Sequence, residues 1–111
     1  MTMETRDVPG YGIRFSITKE GIEAAHAYLY LLKNDLHDQA FGLLEDLHVD
    51  EGQRSGGIGS ELLKAVIERA QAEKCYKLIA TSRNDGSRTA VHEWYTRLGF
   101  QDYGKEFRMD F

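Results

Sequence analysis

The chain has 111 residues, 41% hydrophobic and 29% charged, with a formal net charge of −4. This describes one soluble globular domain near the lower end of what buries a sound core, and its acidic balance argues against a general nucleic-acid or membrane-surface binder, which would be basic. No apolar run approaches about 18 residues, there is no signal-peptide pattern, and the single cysteine, Cys75, cannot close an internal disulfide, so the cytoplasm is the expected compartment.

Residues 1–9 carry mixed charge without a period and read as a loose N-terminal segment of a single domain, 1–111. From Gly10 the pattern alternates: Tyr11, Ile13, Phe15 and Ile17 fall against Gly12, Arg14, Ser16 and Thr18, as in a half-buried strand. Lys19-Glu20-Gly21 reads as a tight turn, so a second strand from Ile22 to about Lys33 should return antiparallel. Its run Ala27-Tyr28-Leu29-Tyr30-Leu31-Leu32 is aromatic and aliphatic on both alternating sets. Asn34 to Gln39 is a polar connection, and a third strand is expected from about Ala40 to Val49.

A charged, glycine-rich turn follows, and then a helix with Ile58, Leu62, Leu63, Val66, Ile67 and Ala70 on one side and Glu61, Lys64, Glu68 and Gln71 on the other. Lys77 to Thr81 is a short buried strand; strand, helix, strand in one sheet implies a right-handed crossover and a parallel pair. Ser87 is an expected N-cap for a second helix carrying Ala90, Val91, Trp94, Tyr95 and Leu98 on one face, with Gly99 ending it. Glu106 to Phe111 alternates like a closing strand. The fold class expected is α/β, a mixed sheet with antiparallel strands first, a parallel pair after, and two main helices.

The turn Gln53-Arg54-Ser55-Gly56-Gly57-Ile58-Gly59-Ser60 holds more glycine than a chain reversal needs. Three glycines leave backbone N–H groups uncovered where a helix begins, and the first turn of a helix has amides without partners at the positive end of its dipole. Such a place suits phosphate, with Arg54 adding a planar cation at its lip. A dinucleotide fold wants G-x-G-x-x-G after a strand, which Gly56, Gly57 and Gly59 do not supply. A triphosphate loop wants lysine where Ile58 stands.

The pattern that fits is Arg54-x-x-Gly57-x-Gly59, which resembles the Q/R-x-x-G-x-G/A signature of the GNAT superfamily of acetyl-CoA-dependent N-acetyltransferases. Leu44-Glu45-Asp46-Leu47-His48-Val49 looks like that family's central strand, and Trp94-Tyr95-Thr96-Arg97-Leu98-Gly99-Phe100 resembles its F-Y-x-x-x-G-F segment. The resemblance implies a GNAT-like sheet and acetyl-CoA as cosubstrate, without a metal. It further implies that the turn (Arg54, Ser55, Gly56, Gly57, Ile58, Gly59, Ser60) holds the pyrophosphate. The strand backbone at Leu47, His48 and Val49 would pair with the pantetheine arm. Asn84, in the loop before the second helix, would contact that arm, and Arg88 would reach the cosubstrate; loop asparagines are also common turn formers. His92 reads as a polar helix residue.

The same resemblance gives Tyr95 the task of protonating the departing thiolate. A phenol, ordinarily near pKa of about 10, is protonated at neutral pH and can donate; core packing is the plainer reading of a tyrosine on an apolar face. Glu45 and Asp46 are adjacent on a strand and should point to opposite faces, Glu45 with Leu47 and Val49, Asp46 with His48. Glu45 is the favoured carboxylate to draw in a cationic amine and take its proton, directly or through water. His48 is the alternative base, because imidazole titrates nearest neutrality. Cys75, near a helix end, is read as packing.

A typical GNAT member starts with a strand and two helices that wall the acceptor site, and this chain has no room for them. The function expected is acetyl transfer to a primary amine by direct attack in a ternary complex, the acceptor being a small amine or a peptide or protein amine. The alternative is a CoA-binding regulatory or structural module without catalysis of its own, or active only with a partner protein. Apolar residues on both sets of the early hairpin lead to the expectation of a homodimer there.

Overall fold

The computed structural model describes residues 1–54 and 56–111, which fall into two compact units, 1–80 and 81–111. The first unit is a four-stranded sheet, order β1-β2-β3-β4, formed by β1 (Tyr11–Lys19), β2 (Ile22–Leu32), β3 (Phe41–Val49) and β4 (Leu78–Ala80). The first three strands are antiparallel, and β3 and β4 are parallel. A short 3₁₀ turn, Glu51–Gln53, precedes the long helix α1 (Ile58–Ala72). The mixed sheet and both helices expected from the sequence are present.

Glu20 and Gly21 sit at φ 52° and 79°, the pair of positive angles that a two-residue type I′ hairpin turn requires. That turn pairs Lys19 with Ile22 and Thr18 with Glu23, and a register shift between Ile17 and Thr18 then places Ile13, Phe15 and Ile17 opposite Leu29, Ala27 and Ala25. These residues share the sheet face on which α1 packs across β1, β2 and β3. The core is Ala25, Ala27, Leu29 and Leu44 from the sheet and Ile58, Leu62, Leu63, Val66 and Ala70 from the helix, all nearly inaccessible. The larger of these side chains each stabilise the fold by about 1.5–3 kcal/mol through burial. Small Ala25 and Ala27 let the helix lie close, and Gly42 serves β3 likewise: a Cβ there would meet Leu29 and Leu78 side chains at 3.0 Å.

α1 ends in a Schellman motif, with Cys75 N–H bonded to Ala70 O and Lys74 N–H to Gln71 O, both at 3.0 Å. Lys74 occupies the left-handed position at φ 60°, where glycine is usual. Cys75 follows it, half-buried; burial pushes its thiol pKa up, as the packing reading requires and a nucleophile does not.

The second unit contains α2 (Thr89–Arg97), which starts one residue later than the sequence suggests. Ser87 is not its N-cap. Its N–H and hydroxyl both bond the Asp85 carboxylate, at 2.9 and 2.5 Å, closing an Asx turn, and Arg88 occupies the cap position without a side-chain cap bond. The Glu106–Phe111 segment forms no strand among the described residues. Alternation provides one apolar edge, but a strand also needs a ladder for its backbone groups, and none is formed there.

Candidate active site

The first unit assembles the turn and the central strand. Gly57 caps α1 at φ 77°, and the first helical bond is Glu61 N–H to Gly57 O at 3.1 Å. The amides of Ile58, Gly59 and Ser60 therefore precede the first intrahelical bond, and no side chain caps them. Ile58 is buried and anchors the helix start, while Gly56, Gly57 and Ser60 lie exposed over it. A Cβ at Gly57 would meet nothing within 4 Å, so the space above the amides is open. Arg54 is exposed and its Nε donates to Val49 O at 2.9 Å, tying the turn to the end of β3. Ser55, expected in this set, lies outside the described residues.

β3 meets β4 over only three pairs, Gly42–Leu78, Leu43–Ile79 and Leu44–Ala80. Among the described residues the ladder to β4 stops at Leu44, while on its other side β3 continues along β2 as far as Val49. The stretch containing Leu47, His48 and Val49 thus offers a strand edge to an extended amide-bearing ligand.

The faces differ from the sequence expectation. His26 and Tyr28 are two residues apart on β2, yet their partners His48 and Glu45 are three apart on β3. The extra residue is a β-bulge, with Asp46 exposed at φ 51°. Beyond the bulge the alternation reverses, so Glu45 and His48 share one face, the one opposite α1. Leu47 and Val49 go to the other, Val49 beside Ala25.

On the face of Glu45 and His48 lies a connected polar set. Arg14 is bidentate to Glu23, at 2.6 and 3.0 Å, and its Nε donates to the Tyr28 hydroxyl at 3.0 Å. These bonds, Glu23's first, raise the Arg14 pKa further, and the Arg14 bonds hold the Glu23 carboxyl below its ordinary range. His26 Nδ1 stands 3.3 Å from Glu23, and His48 Nε2 stands 3.2 Å from Asp50. The two imidazole rings are 5.5 Å apart, centre to centre. Tyr28 sits opposite Glu45 in the ladder. Arg14, Glu23, His26 and Tyr28 were not singled out from the sequence; polar groups at alternate positions of two otherwise apolar strands were the available signal.

In the second unit Tyr95 is half-buried, its ring 5.6 Å from Trp94 and 5.3 Å from Phe100. Gly99, at φ 104°, closes a Schellman motif: Phe100 N–H bonds Tyr95 O at 3.0 Å and Gly99 N–H bonds Thr96 O at 3.1 Å. The glycine thus folds Phe100 back on Tyr95, which explains why an aromatic and a glycine-aromatic pair stand at this spacing. Burial raises the Tyr95 phenol pKa, and nearby Arg88 only partly offsets this, so the hydroxyl stays protonated through neutral pH. Asn84 and Arg88 are both exposed, Asn84 directly before the Asx turn and Arg88 at the start of α2.

A model of the acetyltransferase (GNAT) family matches residues 12–100. The chain belongs to the GNAT family. A glucosamine 6-phosphate N-acetyltransferase from Trypanosoma brucei brucei is 32% identical over 72 residues, 65% of this chain; the match spans 46%, less than half, of that relative. Among solved structures, an acetyltransferase from Trypanosoma brucei superposes with a TM-score of 0.81 at 24% identity, covering 90% of this chain and 69% of that one. A putative acetyltransferase from Agrobacterium tumefaciens gives 0.81 at 25% identity, covering 89% and 68%.

In this GNAT chain the glycine-rich turn lies at the start of α1, the Leu44–Val49 stretch on β3, and Tyr95 on α2. Among the described residues no group of three His, Cys, Asp or Glu side chains could hold a metal ion, and no helix is long and apolar enough to cross a membrane.

Proposed function

We propose that the chain transfers an acetyl group from acetyl-CoA to a primary amine, by direct attack while both are bound. The observation that carries this reading is the open first turn of α1 behind Gly57, joined by Arg54 to the part of β3 that runs on beyond the β4 ladder. A pyrophosphate accepts hydrogen bonds from amides at a helix start, and a pantetheine arm carries amides that pair with a strand edge, so these residues fit the cosubstrate. Acetyl-CoA supplies an activated thioester carbonyl.

The residues of the chain divide the remaining work. The amides of Gly57 to Ser60 and the Arg54 guanidinium hold the phosphates, while Asn84 is assigned to the pantetheine arm and Arg88 to the cosubstrate. The backbone of Leu47 to Val49 orients the arm. The Glu45 carboxylate draws a cationic amine to the face it shares with His48. Tyr95, kept protonated by burial, donates to the departing sulfur. Acceptor candidates include free small amines, peptide amines and, from the trypanosomal relative's name, glucosamine 6-phosphate. Thiol release from acetyl-CoA, followed across glucosamine, glucosamine 6-phosphate, spermidine and a short peptide, tests the reading. Release that depends on one acceptor is expected, and release with none of them contradicts it.

A further inference from the structure

The acetyl-transfer reading leaves open which group removes the amine's proton, and the bulge at Asp46 bears on it. Without the bulge His48 would point away from Glu45; with it, both side chains stand on one face of the sheet. We infer that His48, oriented by Asp50, is the general base of the reaction, and that Glu45 attracts the amine without taking its proton. This inference rests on the acetyl-transfer reading.

Asp50 lies 3.2 Å from Nε2 of His48. A carboxylate there holds the N–H on Nε2, which leaves the lone pair on Nδ1 to accept a proton and stabilises the imidazolium that results. Half of the His48 side chain is accessible, so a ligand can reach it. His26 repeats the arrangement one ring away: its Nδ1 faces Glu23, which Arg14 clamps in place. The charged and titratable groups around His48 are thus Arg14 from β1, Glu23, His26 and Tyr28 from β2, Glu45 from β3, and Asp50. Glu23 and Asp50 also line an open depression of about 500 Å³ with Lys19, Glu20, Ala24 and Gln53.

In the step itself the ammonium of the acceptor gives one proton to His48 Nδ1. The neutral nitrogen attacks the thioester carbonyl carbon; the C–N bond forms and the C–S bond breaks. The nitrogen loses a second proton as the amide forms, one proton is taken up by the thiolate from Tyr95, and the tyrosine is reprotonated. One proton per turnover leaves through His48, which balances the conversion of an ammonium and a thioester into an amide and a thiol.

The test compares wild type, His48→Gln, Asp50→Asn and Asp50→Glu with glucosamine and spermidine as acceptors, measuring kcat and KM against pH, Tm, and CoA binding by calorimetry. His48→Gln is expected to lower kcat/KM by about 10²-fold, the scale of general base catalysis, and to remove the enzyme's part of the acidic limb while CoA still binds. Asp50→Asn should lower kcat with KM and CoA binding unchanged, and Asp50→Glu should restore it; a merely structural Asp50 would lower Tm without a change confined to kcat. A His48→Gln variant with wild-type rate and pH profile would overturn the inference and leave Glu45 or water as the base. Wild type that releases no thiol with any acceptor would overturn the acetyl-transfer reading itself, a separate failure seen before any variant is made.

Discussion

Gly57→Ala and Gly59→Ala separate what the turn does for folding from what it does for binding. Gly57 sits at φ 77°, where a side chain costs about 1–2 kcal/mol. No atom lies within 4 Å of the added Cβ, so no clash adds to that cost. At about 2.1 cal/mol/K per residue the unfolding entropy of a chain this size makes 1 kcal/mol worth about 4 °C, so Tm should fall by about 4–8 °C. Gly59 lies inside α1, where replacing glycine by alanine gains about 0.5–1 kcal/mol, and Tm should rise by about 2–4 °C. On the proposed placement of the pyrophosphate, each added methyl group stands beside a backbone amide that must approach it. Loss of one charge-assisted hydrogen bond, about 1.5–3 kcal/mol, weakens CoA binding by about 10- to 100-fold in both variants. Thermal melts and calorimetric titration of the same samples read the two effects. Opposite Tm shifts with parallel loss of CoA affinity are expected. Loss confined to the destabilised Gly57→Ala protein, or wild-type affinity in both, would refute the placement of the phosphates at this turn.

Three further outcomes follow from particular residues. Lys74→Gly should stabilise the protein by about 0.5–1 kcal/mol, visible as a higher Tm, because Lys74 holds the left-handed position that closes α1. Tyr95→Phe keeps the ring between Trp94 and Phe100, so the fold should survive while turnover falls by roughly 10²-fold. The basic limb of the wild-type rate profile should lie above the ordinary phenol range, since burial raises that pKa, and should vanish in the variant; unchanged turnover would return Tyr95 to packing alone. Tyr11, Ile22 and Tyr30 of the early hairpin are exposed and are the expected homodimer contact, so sedimentation should give twice 12.7 kDa, and a monomer that transfers acetyl would refute it.

Local rules made much of this molecule legible. Period-two alternation with Gly21 at the turn fixed the hairpin, and the 3.6-residue period from Ile58 to Ala70 marked the helix whose buried face is the core. The glycine-rich turn and the Tyr95 segment stood out in the sequence because each is a pattern of short spacings along the chain. The bulge was not, because nothing local requires Asp46 to leave the ladder; it follows from pairing with β2, and it reversed the faces of Glu45 and His48. The polar set from Arg14 to Asp50 was hidden for the same reason, its members being distant in sequence and joined only by register. Ser87 fails as a cap because Asp85, two residues earlier, draws its amide and hydroxyl into an Asx turn, and the helix starts one residue further on.

Titration of CoA into the wild-type protein tests the proposed cosubstrate site most directly. Saturable binding is expected, and at a hundredfold excess over Kd it should stabilise the fold by about 2.7 kcal/mol and raise Tm by about 10 °C. A folded protein that takes up no CoA and keeps its Tm unchanged would contradict it.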